Sequence, residues 1–510
     1  MPGFSRADEP PRRGQVTARL SVAQWAAIPH AARPRLDPHD LTIGIVHLGL
    51  GAFHRAHQAV YTQRAMSETG DNTWAICGVT QRSRAVLDDL APQDGLYTVV
   101  ERGQADRFHV VAALGDVLFA PEHHAALVDR IAAVSTHVVT LTVTEKGYRH
   151  DPVTGRLDVG DAEIQADAAG RPPRTVVGQV VRGLQARYRA SGAPMAVVSC
   201  DNLNNNGATL QGLVEQFCAL LPAAEQPVAS WISQHVTFPS TVVDRIVPAT
   251  TAVDRGEVAV YLGLDDEATV VTEPFSQWVI EDRFAAQRPS WELAGAILTD
   301  DVAPYEAMKL RLLNGSHSAL AYLGLLAGYE QVADFVALEV VATYIKALMD
   351  VEVRATLVQP AGFDVEQYQR QLLQRFANPG LQHRLAQIAM DGSLKLPPRL
   401  VGTVVDLRTG GHRPRLTALA IAAWMRFVSA RIDDAGRQLA VDDPAAARIA
   451  GVLQGAAEPA TVVDRLLGMP EVFGGLGDDV EFRRLLVDAL DGLTRYGAVA
   501  TLRAEADGLS

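Results

Sequence analysis

The chain has 510 residues, 48% hydrophobic and 21% charged, so it holds enough apolar material for at least two cored domains and is neither disordered nor fibrous. With 46 Lys plus Arg against 59 Asp plus Glu the net charge is −13, which opposes nucleic-acid and anionic-membrane partners. Its three cysteines, Cys77, Cys200 and Cys218, are too few and too scattered for a disulfide framework or a zinc ribbon, and suit a reducing cytoplasm.

Residues 1–40, rich in Pro, Arg and Asp, read as a loose tail with one short helical pattern at 22–28 and no secretory signal. From 41 to 298, β-branched runs at 42–48, 74–79, 137–144, 195–199 and 269–271 alternate with helical segments. Such alternation predicts an α/β, doubly wound parallel sheet. From 299 to 510 the texture changes to long Ala- and Leu-rich helical patterns at 305–328, 331–349, 365–376, 416–432 and 444–453, so a mainly α-helical C-terminal domain is expected. The apolar stretch 312–329 contains Asn314, Ser316, His317 and Ser318 and is too polar for a membrane span.

Chemistry enters first at 43–57, where a strand runs through Gly49-Leu-Gly51 into Ala-Phe53-His54-Arg55-Ala-His57. Gly49 permits a tight turn and Gly51 a close backbone approach to phosphates, and the following helix offers unpaired N–H groups. His54 replaces the third glycine of GxGxxG. A plain structural turn explains a lone GxG pair equally well; its place after the first strand of an alternating region favours a dinucleotide. Gly49, Gly51, Phe53, His54, Arg55 and Thr80 are the candidate contacts on this side. The second strand ends in Thr80-Gln81-Arg82-Ser83-Arg84 without the acidic residue that prefers NAD, so NAD and NADP both stay open. His54 and His57 have HxxH spacing, but with no carboxylate or thiolate close by in sequence no metal is expected.

The segment 305–320 carries Glu306, Lys309, Asn314 and His317. On an α-helix at about 100° per residue these four fall within an arc of about 140°. A desolvated Lys309 can accept a proton from a secondary alcohol, Asn314 can steady the resulting oxyanion, His317 can orient the hydroxyl or the lysine, and Glu306 can pass the proton to solvent. The bland alternative is a solvated face with a Glu306–Lys309 pair. Two strand ends add candidates. Asn202, Asn204, Asn205 and Asn206 follow the strand at 195–199, where one asparagine could be a second oxyanion donor, although Asx-turns and helix caps explain such clusters too. The strand at 137–144 ends in Thr144, Glu145 and Lys146, which could touch a nicotinamide ribose; a plain turn with Gly147 explains them equally well. Asp244 and Arg245, adjacent between apolar residues, read as an internal ion pair or a substrate contact.

At these residues the sequence resembles the polyol-specific long-chain dehydrogenases, the mannitol 2-dehydrogenase family that includes D-mannonate oxidoreductase (fructuronate reductase). The resemblance runs from about residue 43 to 473 and rests on GLGAFHRAHQA, QDGLYTVVERG, TVTEKGY, SCDNLNNNG, FPSTVVDRIVP, EPFSQWVIED and YEAMKLRLLNGSHSALAYLG. It implies a Rossmann-type domain plus a helical domain, metal-independent hydride transfer with NAD, and a monomer. Residue by residue it implies Lys309 as general base, Asn314 as oxyanion donor, His317 as substrate-orienting histidine and Glu306 as proton relay, with Asp244 and Lys395 at the substrate. Asn204 departs from the family's pattern, which has Pro in many members. Both a neutral hexitol and an aldonate fit; a sugar-acid carboxylate would want a cation, and Lys395, Arg399, Arg375 and Arg384 lie in plausible segments. The rival from another class is a non-catalytic dinucleotide-binding protein that meets a partner through its helical domain.

Overall fold

A computed structural model describes residues 18–151, 154–360 and 362–507, so the tail expected at 1–17 lies outside the described residues. The chain divides into two compact units, Met1–Asp300 and Asp301–Ser510. The helical pattern at 22–28 is a 3₁₀ helix, Val22–Ala27.

The first unit is built on a six-stranded sheet: β1 (Ile43–Leu48), β2 (Ala75–Thr80), β3 (Leu114–Phe119), β4 (Val138–Leu141), β5 (Met195–Ser199) and β6 (Val236–Thr237). All pairings are parallel, in the order β3-β2-β1-β4-β5-β6. This is the winding order of dinucleotide-binding sheets, with its reversal, and hence its ligand crevice, beyond the carboxyl ends of β1 and β4. β1, β2, β4 and β5 are buried along their whole length, as apolar runs are when helices cover both faces. Alternate residues feed two cores: Val46, Val139 and Val197 pack with Val180 and Phe217, while Ile45, Val138 and Ala196 pack with Ala59 and Trp278.

Two small sheets flank it. The run expected as a main-sheet strand at 269–271 is instead Val270–Thr272, paired parallel to Tyr97–Glu101, which pairs antiparallel with Arg107–Val111. Propensity marks a strand but not the sheet it joins. In the other, Gln277–Glu281 lies between Thr241–Asp244 and Ile297–Thr299.

The second unit is helical. Helix Ala303–Met308 continues through a π turn, Lys309–Gly315, into helix Ser316–Leu326. The long pattern at 331–349 is in fact two helices, Val332–Val336 and Glu339–Ala347, separated where Leu338 is extended (φ −72°, ψ 121°). Helix Val365–Phe376 starts where Asp364 accepts the amide of Gln367. Helix Arg415–Ala430 is buried at every residue from Leu416 to Val428 and packs on Ser316–Leu326 and Val480–Tyr496. No helix among the described residues is long and apolar enough to cross a membrane.

Candidate active site

β1 ends in a turn that only glycine can make at its first position. Gly49 has φ +101°, and a Cβ there would lie 2.1 Å from the carbonyl oxygen of Thr142. Thr142 follows β4, and its hydroxyl donates to Gly49 O at 3.0 Å, so the turn is fastened to the neighbouring strand at the reversal point. Helix Ala52–Ala56 then begins, with Gly51 as its N-cap.

The third glycine of a dinucleotide turn normally lets this helix lie close on the sheet. Here His54 stacks on His47 of β1 with ring centroids 3.3 Å apart. His47 is held by Thr140 Oγ1 at 2.8 Å and Thr142 Oγ1 at 2.9 Å. Burial drives the His47 pKa down to about 3 and that of His54 well below the usual value, so two neutral rings stack without repulsion. His47 was not singled out in the sequence; a lone histidine inside an apolar strand was the available signal.

His54 therefore faces the sheet rather than a ligand. Arg55 also turns inward: its guanidinium donates to Ala268 O and lies 5.5 Å from the Tyr97 ring centroid. Thr80 is buried and its hydroxyl donates to Ser83 O at 2.8 Å. In all three of these expected cofactor contacts the side chain faces the protein, so a side-chain contact with a cofactor is not what this arrangement offers. Phe53 is half-buried and stacks on His57 at 5.0 Å, and the His57 Nε2 is 2.9 Å from Gln277 O, so the HxxH pair diverges.

Beyond β4, Thr144 holds φ +68°, a strained conformation for a β-branched residue, and Thr144, Glu145 and Lys146 are exposed. Asp201 at the end of β5 fixes this loop: its carboxylate accepts the amides of Val143 (3.0 Å) and Thr144 (2.9 Å) and the Tyr148 hydroxyl (2.8 Å). The asparagine cluster now separates. Asn206 is buried, donates to Asp201 O (3.0 Å) and Thr241 O (2.9 Å), and accepts the Thr241 amide (2.9 Å). Both its amide hydrogens are engaged, so Asn206 is a staple and not an oxyanion donor. Asn202 and Asn205 are exposed, and Asn205 caps the next helix with φ 48°.

Asp244 and Arg245 do not form the adjacent pair. Strand alternation separates them, and Arg245 reaches Glu101 at 2.6 Å while Asp244 is buried opposite Gln277.

In the second unit the π turn changes the expected face. In an α-helix Asn314 lies about 140° round the axis from Lys309. Bonding from i to i+5 brings residue i+5 back over i, as α bonding does for i+4. Lys309 and Asn314 are thus drawn to one side, with Glu306 and His317 one helical turn before and after; Glu306, Lys309 and Asn314 are half-buried and His317 is buried. The π turn is packed against a second one, Pro397–Val401: a Cβ on Gly315 would lie 2.9 Å from Arg399 O. Asn-Gly inside an apolar helical pattern was the sequence's hint of this irregularity.

His317 sits 5.0 Å from the His383 ring and 4.8 Å from Phe376, with its Nε2 buried and without a hydrogen bond among the described residues. Burial, reinforced by His383, Arg375 and Arg399, keeps its pKa well below the usual value, so the ring is neutral. His383 is an additional member that the sequence reading missed. Lys395 is half-buried, 3.5 Å from Ile388 O and 3.8 Å from Asp391. Arg375 is buried within this group, but Arg384 is exposed on the residue after His383, where extended backbone turns it to the opposite side, so it does not join the cluster.

Two family models match: the mannitol dehydrogenase Rossmann domain over residues 43–293 and the mannitol dehydrogenase C-terminal domain over 301–494. The chain belongs to the mannitol dehydrogenase family. It is 41% identical to the D-mannonate oxidoreductase of Escherichia coli K12 over 479 residues, covering 92% of this chain and 96% of that one. With the mannitol 2-dehydrogenase of Pyrenophora tritici-repentis it shares 37% over 495 residues, 95% and 86% of the two chains. The solved mannitol 2-dehydrogenase of Pseudomonas fluorescens, a ternary complex with NAD and D-mannitol, superposes with a TM-score of 0.82 at 37% identity, covering 96% of this chain and 99% of its own.

In this mannitol dehydrogenase family chain the turn residues fit a dinucleotide. A Cβ on Gly51 would meet nothing nearer than Gly49 O at 3.7 Å, so the backbone there is open to a pyrophosphate that any side chain would obstruct.

Proposed function

We propose that the chain is an NAD-dependent oxidoreductase that interconverts a secondary alcohol of a hexitol or aldonate with the ketone of a ketose or ketouronate. The observation that carries this reading is the π turn that draws Lys309 and Asn314 to one side of a helix, in a chain whose first unit is wound for a dinucleotide. Bound NAD supplies the hydride acceptor.

Lys309 takes the hydroxyl proton as the hydride leaves, and Glu306, one helical turn away, carries that proton towards solvent. Asn314 donates to the substrate oxygen as it gains negative charge, joined by Asn202 or Asn205 as second donor. Neutral His317 orients the hydroxyl, and Asp244, Lys395 and Arg375 hold the rest of the substrate. Gly49 and Gly51 admit the pyrophosphate, with Thr144, Glu145 and Lys146 beside the nicotinamide ribose. An amine base and amide donors call for no metal. Lys309→Ala should lower kcat by about 10²–10⁴-fold, the usual range for a lost general base, while the Kd for NAD, followed by fluorescence, stays within a few-fold. Unchanged turnover would remove Lys309 as base, and NAD binding without turnover of any polyol or sugar acid would favour the non-catalytic alternative.

A further inference from the structure

Most buried and half-buried arginines here meet carboxylates or backbone carbonyls: Arg245 pairs with Glu101, Arg182 with Glu225 and Arg426 with Asp434, Arg187 is surrounded by backbone carbonyls and Arg55 donates to Ala268 O. Arg399 meets neither. Its hydrogen bond goes to a neutral hydroxyl, Ser318 Oγ at 3.2 Å, and among the described residues no carboxylate stands within ion-pairing distance. Burial disfavours its charge, and the Tyr322 phenol is the group that offsets this. A desolvated guanidinium with one neutral partner is an unfinished arrangement, which a two-oxygen anion completes through parallel N–H···O bonds.

The position of Arg399 says where that anion would lie. Its carbonyl is packed on Gly315, which fixes the Pro397–Val401 turn against the turn that bears Lys309 and Asn314. Ser318, which receives the guanidinium, donates in turn to Asn314 O at 3.1 Å. From Asn314 to Ser318 the helix rises about 6 Å. In a 2-ketohexuronate four carbon–carbon bonds separate the keto carbon from the carboxylate, so such a substrate needs an anion site close to the Lys309–Asn314 pair but not at it. Beside Asn314 and Ser318 lies His317, 7% exposed, with a buried Nε2 that has no hydrogen-bond partner among the described residues. Of the other cations near this helix, Lys395 faces Asp391 at 3.8 Å, Arg384 is exposed, and Arg375 is buried beside His317 and His383, where it adds to the positive field that an anion would meet.

We propose that the substrate is a sugar acid rather than a neutral polyol, and that Arg399 binds its terminal carboxylate at the far end of the carbon chain from the reacting carbon. This rests on the dehydrogenase reading above and narrows it to one substrate class.

The test uses the full-length protein with NADH and two matched pairs, D-fructuronate against D-fructose and D-tagaturonate against D-tagatose. Each pair differs in a terminal carboxylate against a terminal CH2OH. In at least one pair the acid should be reduced with a kcat/KM about 100-fold or more above the neutral sugar, about what one charge-assisted bidentate contact supplies. Arg399→Gln should raise KM for the acid by about 50-fold or more with little change in kcat, and Arg399→Lys should recover part of that loss. NADH binding by fluorescence, unchanged in both variants, shows that they are folded. Neutral ketoses reduced as well as the acids would overturn the carboxylate assignment while leaving the dehydrogenase reading intact. An equal loss on acid and neutral substrates in Arg399→Gln would overturn the role of Arg399, and reduction of none of the four would count against the dehydrogenase reading itself.

Discussion

Gly49 and Gly51 look alike in the sequence and do different work. At Gly49 the positive φ and the 2.1 Å approach of a Cβ to Thr142 O make any side chain incompatible with the turn. Gly49→Ala should therefore cost a few kcal/mol of stability, visible as a drop in Tm. At Gly51 φ is −99° and the site is open, so Gly51→Ala should lower Tm by no more than a few degrees, through the poorer N-cap, yet weaken NAD binding by tenfold or more. Wild-type NAD affinity in Gly51→Ala would remove the pyrophosphate from this turn. Residue type and position were legible at this scale, but side-chain direction was not. Arg55, Thr80 and Asn206 all occupy positions suited to a ligand, and in each the polar group is captured by the protein through contacts distant in sequence, Ala268 and Thr241 among them, or by a local turn, Ser83. Asn206 has nothing in its neighbourhood that announces Thr241 as its partner.

Among the elements, helix Val365–Phe376 matches its sequence pattern because an apolar stripe of Val365, Tyr368, Leu372 and Phe376 coincides with an Asp364 cap. Beyond the Asn-Gly pair at 314–315 the π turns left no trace in the sequence, since an i→i+5 turn has no periodicity of its own and is imposed by packing. For Lys309–Gly315 that packing is the contact of Gly315 with the Arg399 carbonyl. Gly315→Ala places a methyl 2.9 Å from that oxygen, so the two π turns must separate by a few tenths of an ångström. We expect a stability loss of about 1–3 kcal/mol, as for overpacking elsewhere, with kcat falling at least tenfold because Lys309 and Asn314 shift with the turn. Circular dichroism melts and initial rates on the same preparation check both. A destabilised variant with wild-type kcat would show that the contact between the turns does not position the base.

For the whole molecule, the division into an α/β part and a helical part was legible because the change from short β-branched runs to long Ala- and Leu-rich runs is a composition signal, independent of any partner contact. The response to acid was not legible, because it depends on which histidines are buried. His47 is held at about 3 and His383 at about 4, with His54 and His317 well below the ordinary value, in every case through desolvation first. A histidine whose folded pKa is depressed leaves the unfolded chain binding more protons as soon as pH falls below about 6.5. Its contribution is fully present above that pH and is lost as pH falls towards the folded value. Each such histidine adds a slope of up to about 1.4 kcal/mol per pH unit. Two belong to each unit, so both halves of the chain should weaken together. Buried carboxyls such as Asp201 and Glu352 are shifted upwards by desolvation and act in the opposite sense, while Glu101, held at about 2, loses its contribution only below the ordinary carboxylate range. The histidine effect is therefore read most cleanly between pH 7 and 5, where urea midpoints should fall steadily. His47→Gln, which removes one titrating ring, should flatten the slope of the first unit by about 1.4 kcal/mol per pH unit at most, and equal stability at pH 7 and pH 5 in the wild-type protein would contradict the burial of these rings as neutral species.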